Sequence, residues 1–283
     1  VENILLGQVV NSIIMMIPEL KISTHILKSI PLRRRVEYIA YVPAGIPANT
    51  PMNLLLLNDG QDAEGLKLEA NLKELYTAQR IDPLILIAIK CSDERMQEYG
   101  VAGRPDFQKR GSKADLYNDF IIKELLPELD RKFNLKHKAK VGFAGFSLGG
   151  LSAFDIAWRN PERFDLIGAF SASFWWRTKA LDDGYTPEDR IMHQVIRETA
   201  GKPELKVWLM TGTEDETEDR NHNYIIDSID DTIDIIKELL EKGYTRPEEV
   251  FYYEMVGGRH EVPCWAIALP AFLCWAFPRT AVF

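Results

Sequence analysis

Only three cysteines occur in 283 residues, Cys91, Cys264 and Cys274. An odd, sparse count in apolar surroundings excludes a disulfide framework or a cysteine zinc site, and the three read as buried thiols. Basic charge is also short: 34 Lys and Arg against 42 Asp and Glu leave a formal net charge of −8 and a pI near 5.3. The longest basic cluster is Arg33-Arg34-Arg35, which makes no stripe for phosphates, so nucleic acid is not an expected partner. Long apolar runs are missing too. "VVNSIIMMI" near the N-terminus falls well below the roughly 20 residues of a bilayer-crossing helix, and it lacks the basic flank and small-residue cleavage site of a leader. The expected compartment is the cytoplasm, with the periplasm or the exterior as the alternative if a leader has been removed. Oligomeric state leaves no mark. Repeats, low-complexity tracts and flexible linkers are lacking as well, which points to one domain over 1–283, with 1–45 as its N-terminal edge strands.

What is present is 46% hydrophobic and long enough to bury a sizeable core. "KISTHIL" and "RRVEYIAYVP" alternate polar and apolar residues and predict a β-hairpin at a sheet edge. Further on the pattern changes to short, continuously apolar runs: "MNLLLLND", "PLILIAIK", "AKVGFAGF", "FDLIGAFS", "ELKVWLMTG" and "EVFYYEMVG". Helical stretches such as "LKLEANLKELYTAQR" and "DLYNDFIIKELLPELDRKF" lie between them. Strands apolar on both faces and alternating with helices predict a mostly parallel α/β sheet covered on both sides. In such sheets chemistry gathers in the loops at the carboxyl ends of the strands.

One of those loops carries Gly145-Phe146-Ser147-Leu148-Gly149, between an apolar strand and a helix. This is G-x-S-x-G in the strand-turn-helix setting that it requires, with glycines where a sharp turn leaves no room for side chains, so Ser147 is the candidate nucleophile. A serine hydroxyl needs a base. Of five histidines, two follow the later strands. His260, in "VGGRHEVPCW" beyond the last predicted strand, is better placed to reach over the elbow than His222 inside the acidic stretch. His25 and His137 sit in strand and basic-loop contexts, and His193 reads as part of a helix face.

With these pieces the chain resembles the Putative esterase family of α/β-hydrolases, which includes enterochelin, feruloyl and acetylxylan esterases, S-formylglutathione hydrolases and mycolyltransferases. The matching blocks are "LLLLNDGQ", "DLYNDFIIKELLPELDRKF", "GFAGFSLGGLSAFDIAWRNPERFDLIGAFSASFWW" and "GGRHEVPCW". The resemblance implies an α/β-hydrolase fold and a serine esterase with Ser147 as nucleophile, His260 as base and Asp215, in "TGTEDE", as the acid. It also implies oxyanion amides from the backbones of Gln61 and Leu148, a small-molecule or oligosaccharide ester as substrate, and no cofactor needed for catalysis. Acyl transfer from the same acyl-enzyme, or a non-catalytic binding protein on this fold, are the alternatives. Many relatives carry "HG" or "DGxxxW" where this chain has "NDGQDAEG" without Trp.

Trp175, Trp176 and Arg177 follow the strand after the nucleophile helix and are candidates for substrate contact, the rings for stacking and the guanidinium for an anion. The opposite reading is that the tryptophans pack beneath the loop. Arg95, Glu98 and Tyr99, in a long polar segment without periodicity, are candidates to border the pocket. In the acidic stretch "EDETEDRNHNYIIDSIDD", Glu214 and Glu216 rival Asp215 as the orienting acid. Asp219, Asn221, Asn223, Ile225, Asp227 and Asp230 then stand at positions 1, 3, 5, 7, 9 and 12 of a loop with calcium-ligand spacing, although Tyr224 replaces the glycine of position 6 and Asp230 the glutamate of position 12. A structural Ca2+ is one expectation. The other is a helix entry in which Asp227, Asp230 and Asp231 cap and complement the helix dipole.

Overall fold

The alternating N-terminal segments fold as the expected hairpin. Strands β1 (Glu19–Ser29) and β2 (Arg34–Ala44) pair antiparallel along their whole length, Glu19 opposite Ala44 and Ser29 opposite Arg34. The computed structural model describes residues 19–46, 50–135 and 138–280. The apolar run near the N-terminus and His137 lie outside them.

The six apolar runs form β3 (Met52–Leu57), β4 (Leu84–Ile89), β5 (Lys138–Phe146), β6 (Leu166–Phe170), β7 (Lys206–Glu214) and β8 (Val250–Arg259). They join the hairpin in one eight-stranded sheet of order β1-β2-β4-β3-β5-β6-β7-β8. Pairing is antiparallel from β1 to β4 and parallel from β4 to β8. This is the mostly parallel sheet with an antiparallel edge that the pattern predicts.

Successive side chains of a strand point to opposite faces, and the core divides accordingly. Leu54 and Leu56 of β3 pack with Phe143, Phe154 and Ile235 on one face; Leu55 and Leu57 pack with Leu72, Phe146 and Phe272 on the other. The first face is covered by α5 (Leu148–Arg159), α6 (Ile191–Glu198), α7 (Asp227–Glu241) and the run α3 (Ala114–Asp119) to α4 (Leu126–Lys132). Between α3 and α4 the helix widens into a π turn, Phe120–Leu125, just before Pro127, which has no N–H to donate to the turn behind it. A short α2 (Arg95–Glu98) lies after β4.

The second face is covered by α1 (Leu68–Thr77) and α8 (Val262–Ala276). The sequence pattern did not announce α8, because "VPCWAIALPAFLCWA" is apolar nearly all round and holds Pro270 in its interior. The three cysteines are free and only half-buried, a correction to their reading as core thiols: Cys264 and Cys274 sit on α8, and Cys91 just past β4. Among the described residues no helix is long and apolar enough to cross a membrane.

Candidate active site

The loops that leave β3, β5, β6, β7 and β8 meet at one edge of the sheet. Ser147 stands between β5 and α5 with φ 53° and ψ −126°, a conformation that costs a side-chain-bearing residue free energy and that the packing must hold. Its N–H donates to Phe170 O at 2.9 Å, and its carbonyl accepts from Gly150 at 3.0 Å and Ser173 at 3.2 Å. The glycines explain how the turn closes. A Cβ on Gly145 would overlap the Gly149 carbonyl, and one on Gly149 would overlap Asp59 Oδ2. Ser147 itself is half-exposed.

Leu148 opens α5, so its N–H has no intrahelical acceptor. Gln61 is the second residue of a single 3-10 turn, Gly60–Asp62, entered through Asp59 in the left-handed region at φ 61°, and its N–H also lies in the first turn, where backbone donors lack partners within the helix. Asn58 clamps these two turns together. Its Nδ2 donates to Gly149 O at 2.8 Å, its own N–H donates to Ala144 O at 3.0 Å, and its Oδ1 accepts the Tyr117 hydroxyl at 2.6 Å. Asp59 is buried and takes a two-point pair from Arg95, Nε to Oδ1 at 2.7 Å and NH2 to Oδ2 at 2.8 Å. Bidentate pairing of this kind fixes orientation as well as charge. Sequence reading passed over Asn58 and Asp59, although both stand in the "NDG" that points to Gln61.

Asp215 sits at the end of β7, buried, with Oδ2 accepting the Gly212 N–H at 2.9 Å. Oδ1 is buried without a hydrogen-bond partner. Burial pushes the Asp215 carboxyl above its usual pKa, while the Gly212 N–H, the Ser171 hydroxyl and His260 oppose the shift. Gly212 has to be glycine, since a Cβ would overlap the Gly258 carbonyl and come within 2.9 Å of Asp215 Oδ1. Neither rival carboxylate shares this setting. Glu214 is exposed and pairs with Arg259 at 3.1 Å. Glu216 turns toward α7, where burial raises its pKa to about 7 against the hydrogen bond from the Ser228 backbone.

His260 follows β8, solvent-exposed on one side and edge-on to Trp265 on the other, ring centroids 5.2 Å apart at 81°. The protein packed around the ring lowers its pKa; Asp215 raises it and Arg95 lowers it further. The Asp215 carboxylate thus favours the charged ring, while no direct hydrogen bond joins His260 to Ser147 or Asp215. In unliganded hydrolases such contacts are often long and tighten with substrate. His222 lies away in the acidic loop, and His193 is buried with Nε2 against Asp231 O at 3.1 Å.

The bordering candidates separate by burial. Trp175 is half-exposed and half-buried Arg177 stands against it, whereas Trp176 is 0% exposed. Trp176 is therefore corrected to a packing residue: its indole donates to Arg104 O at 3.2 Å and fills the space left by Gly100 and Gly111, where a Cβ would come within 2.9 and 2.8 Å. Arg95 reaches the site. Glu98 instead pairs with Arg34 at 2.7 Å, and the buried Tyr99 hydroxyl supports the Asp59 N–H at 3.4 Å.

In the acidic loop the side chains bond to one another and to backbone N–H groups. Asp219 accepts from the backbone of Asn223 at 3.1 Å and Tyr224 at 2.9 Å; Asp230 accepts from the Asn221 and Asn223 amides at 2.8 Å each. Asp227 accepts the Arg220 N–H at 2.9 Å and pairs with its guanidinium at 3.2 Å. The oxygens are thus engaged by protein donors, and among the described residues no three His, Cys, Asp or Glu side chains group to hold a metal ion. Helix capping also differs from expectation: the N-cap is Ile226, and Asp227 and Asp230 lie in the first turn, where they complement the helix dipole.

A family model described as Putative esterase matches residues 29–276. An uncharacterized protein of Bacillus subtilis, YbbA, is 29% identical over 114 residues, 38% of this chain and 45% of that one. The siderophore triacetylfusarinine C esterase of Aspergillus fumigatus is 32% identical over 68 residues, 24% of this chain and 23% of that one. The matched stretches thus span less than half the length of either relative. Among solved structures, the enterochelin esterase of Shigella flexneri superposes with a TM-score of 0.69 at 21% identity, covering 91% of this chain and 58% of that one. At that identity the likeness is one of fold, the α/β-hydrolase fold.

Proposed function

The chain belongs to the Putative esterase family, and from that premise we propose that it is a serine esterase that hydrolyses a carboxylic ester of a small molecule through an acyl-enzyme. The observation that carries this reading is the strained turn at Ser147, held by Gly145 and Gly149 at the carboxyl end of β5. A fold has no packing reason to keep a side chain at φ 53° between two glycines it cannot replace; presenting a hydroxyl is a reason.

In this reading the Ser147 Oγ attacks the ester carbonyl carbon as His260 takes its proton. The carbonyl oxygen, now negative, sits between the Gln61 and Leu148 N–H groups. In other hydrolases loss of one such donor costs about 3–4 kcal/mol. His260 returns the proton to the departing alkoxide, and the alcohol leaves. Water then attacks the acyl-enzyme with His260 again as base, releasing the acid and the Ser147 hydroxyl. Asp215 holds the imidazole orientation and stabilises the imidazolium, which its unpartnered Oδ1 suits it to do. The exposed side of His260 leaves a path for that water.

One relative is named a siderophore triacetylfusarinine C esterase and one structural neighbour an enterochelin esterase, and half-exposed Trp175, two residues beyond Ser173, suits a substrate with a planar group. The test is hydrolysis of p-nitrophenyl acetate. Ser147→Ala is expected to abolish turnover while leaving Tm close to wild type, and a variant that keeps more than about a tenth of the wild-type rate would sink the assignment.

A further inference from the structure

Arg177 lies four residues beyond Ser173, whose N–H donates to the Ser147 carbonyl at 3.2 Å. Four residues span at most about 14 Å even when extended, and the Trp176 N–H folding back on Ser173 O at 3.1 Å shortens that reach. The Arg177 backbone therefore stands on the same rim as the elbow. Three rings frame the guanidinium: Phe107 at 5.1 Å, Tyr185 at 5.7 Å and Trp175 at 5.9 Å from their centroids. Two further arginines share those rings, Arg110 over Trp175 at 4.9 Å and Arg220 over Tyr185 at 5.7 Å.

The three cations differ in how they are neutralised. Arg110 pairs with Asp106, Nε to Oδ2 at 2.6 Å, and Arg220 pairs with Asp227 and Asp231. Arg177 makes no ion pair among the described residues. Its NH1 donates only to Trp175 O at 3.4 Å, its Nε is buried without an acceptor, and the Tyr185 hydroxyl beside it is buried without a partner. Burial lowers the Arg177 pKa, Arg220 and Arg110 lower it further, and Tyr185 and Asp231 oppose them. Half-burying a cation without a counter-ion is unfavourable, and a ring face returns only part of that cost. A chain with eight more acids than bases has carboxylates to spare, yet none is spent here.

We propose that Arg177, framed by Trp175, Phe107 and Tyr185, is a subsite for a carboxylate carried by the substrate on or beside a planar group. The guanidinium fork matches a carboxylate in two-point geometry, and the ring faces supply the flat walls. The role of this site toward substrate rests on the esterase reading above; its preference for an anion does not.

Calorimetric titration of the Ser147→Ala protein with benzoate and with its neutral isostere benzamide decides the question. Benzoate is expected to bind at least about tenfold more tightly. That preference should vanish in Ser147→Ala/Arg177→Gln and survive in part in Ser147→Ala/Arg177→Lys, which keeps the charge and loses the fork. Equal affinity for the two ligands, or a benzoate preference that outlives Arg177→Gln, overturns the proposal. In the active enzyme the kcat/KM ratio of p-nitrophenyl hemiglutarate to p-nitrophenyl valerate should fall about tenfold with Arg177→Gln, and an unchanged ratio counts against the subsite. Should Ser147→Ala hydrolyse esters like wild type, the nucleophile assignment fails, while the benzoate comparison still decides Arg177.

Discussion

At the scale of single residues, the site is built from pairs in which one member is named by a motif and the other by contact. Ser147 stands in G-x-S-x-G, but what holds the Gly60–Asp62 turn beside it is Asn58, bonded to Gly149, and Asp59, locked by Arg95. Arg95 matters a second way, because its charge lowers the pKa of His260 along with burial, against Asp215. A base must be neutral to accept the serine proton, so the acid limb of kcat/KM should lie below the ordinary histidine value of about 6.5. Arg95→Gln removes a cation near the ring and should move that limb to higher pH. A pH profile of p-nitrophenyl acetate hydrolysis reads this directly, and a limb that stays put or moves down contradicts the electrostatic account.

At the scale of elements, strands and amphipathic helices were legible, and the elements without a two-sided pattern were not. The six apolar runs became β3 to β8, because a strand covered on both faces has to be apolar at every position. α8 escaped notice for a related reason: a helix with no polar stripe has no period to detect. Its packing is nonetheless specific. Phe272 lies over Gly168, where a Cβ would come within 2.7 Å of its ring, and meets Phe170, Trp208 and Trp275. Phe272→Ala should cost about 3–5 kcal/mol, measured as a lower urea midpoint with little change in m. The entry to α7 yields a second expectation. Its carboxylates already hold Arg220, two Asn amides and backbone N–H groups, so neither millimolar Ca2+ nor EDTA should move Tm. A rise with Ca2+ that EDTA reverses would restore the calcium loop.

At the scale of the whole molecule, the net charge of −8 and the sheet order act independently. The charge sets long-range encounters: duplex DNA at about 0.15 M salt should show no mobility shift with this protein, since repulsion of phosphates is screened but not reversed within a Debye length of about 8 Å. The sheet order sets where chemistry collects, because the six parallel strands from β4 to β8 deliver their loops to one edge. Local charge departs from the global sign there: Arg95 and Arg177 stand near the elbow of an acidic chain.

The order of elements, and the places of Ser147 and His260 at the ends of β5 and β8, follow from local pattern and composition, which a linear sequence displays. Which of three adjacent carboxylates turns inward was decided only in the fold, where Asp215 is buried against the Gly212 N–H, Glu214 pairs with Arg259 and Glu216 lies against α7. So was the parting of Trp175 from Trp176, because the space that buries Trp176 is made by Gly100 and Gly111, more than sixty residues away in the chain. Period and motif are properties of neighbours along the backbone. Burial, pairing and the lack of a partner at Arg177 are properties of neighbours in space, and long-range packing alone determines those.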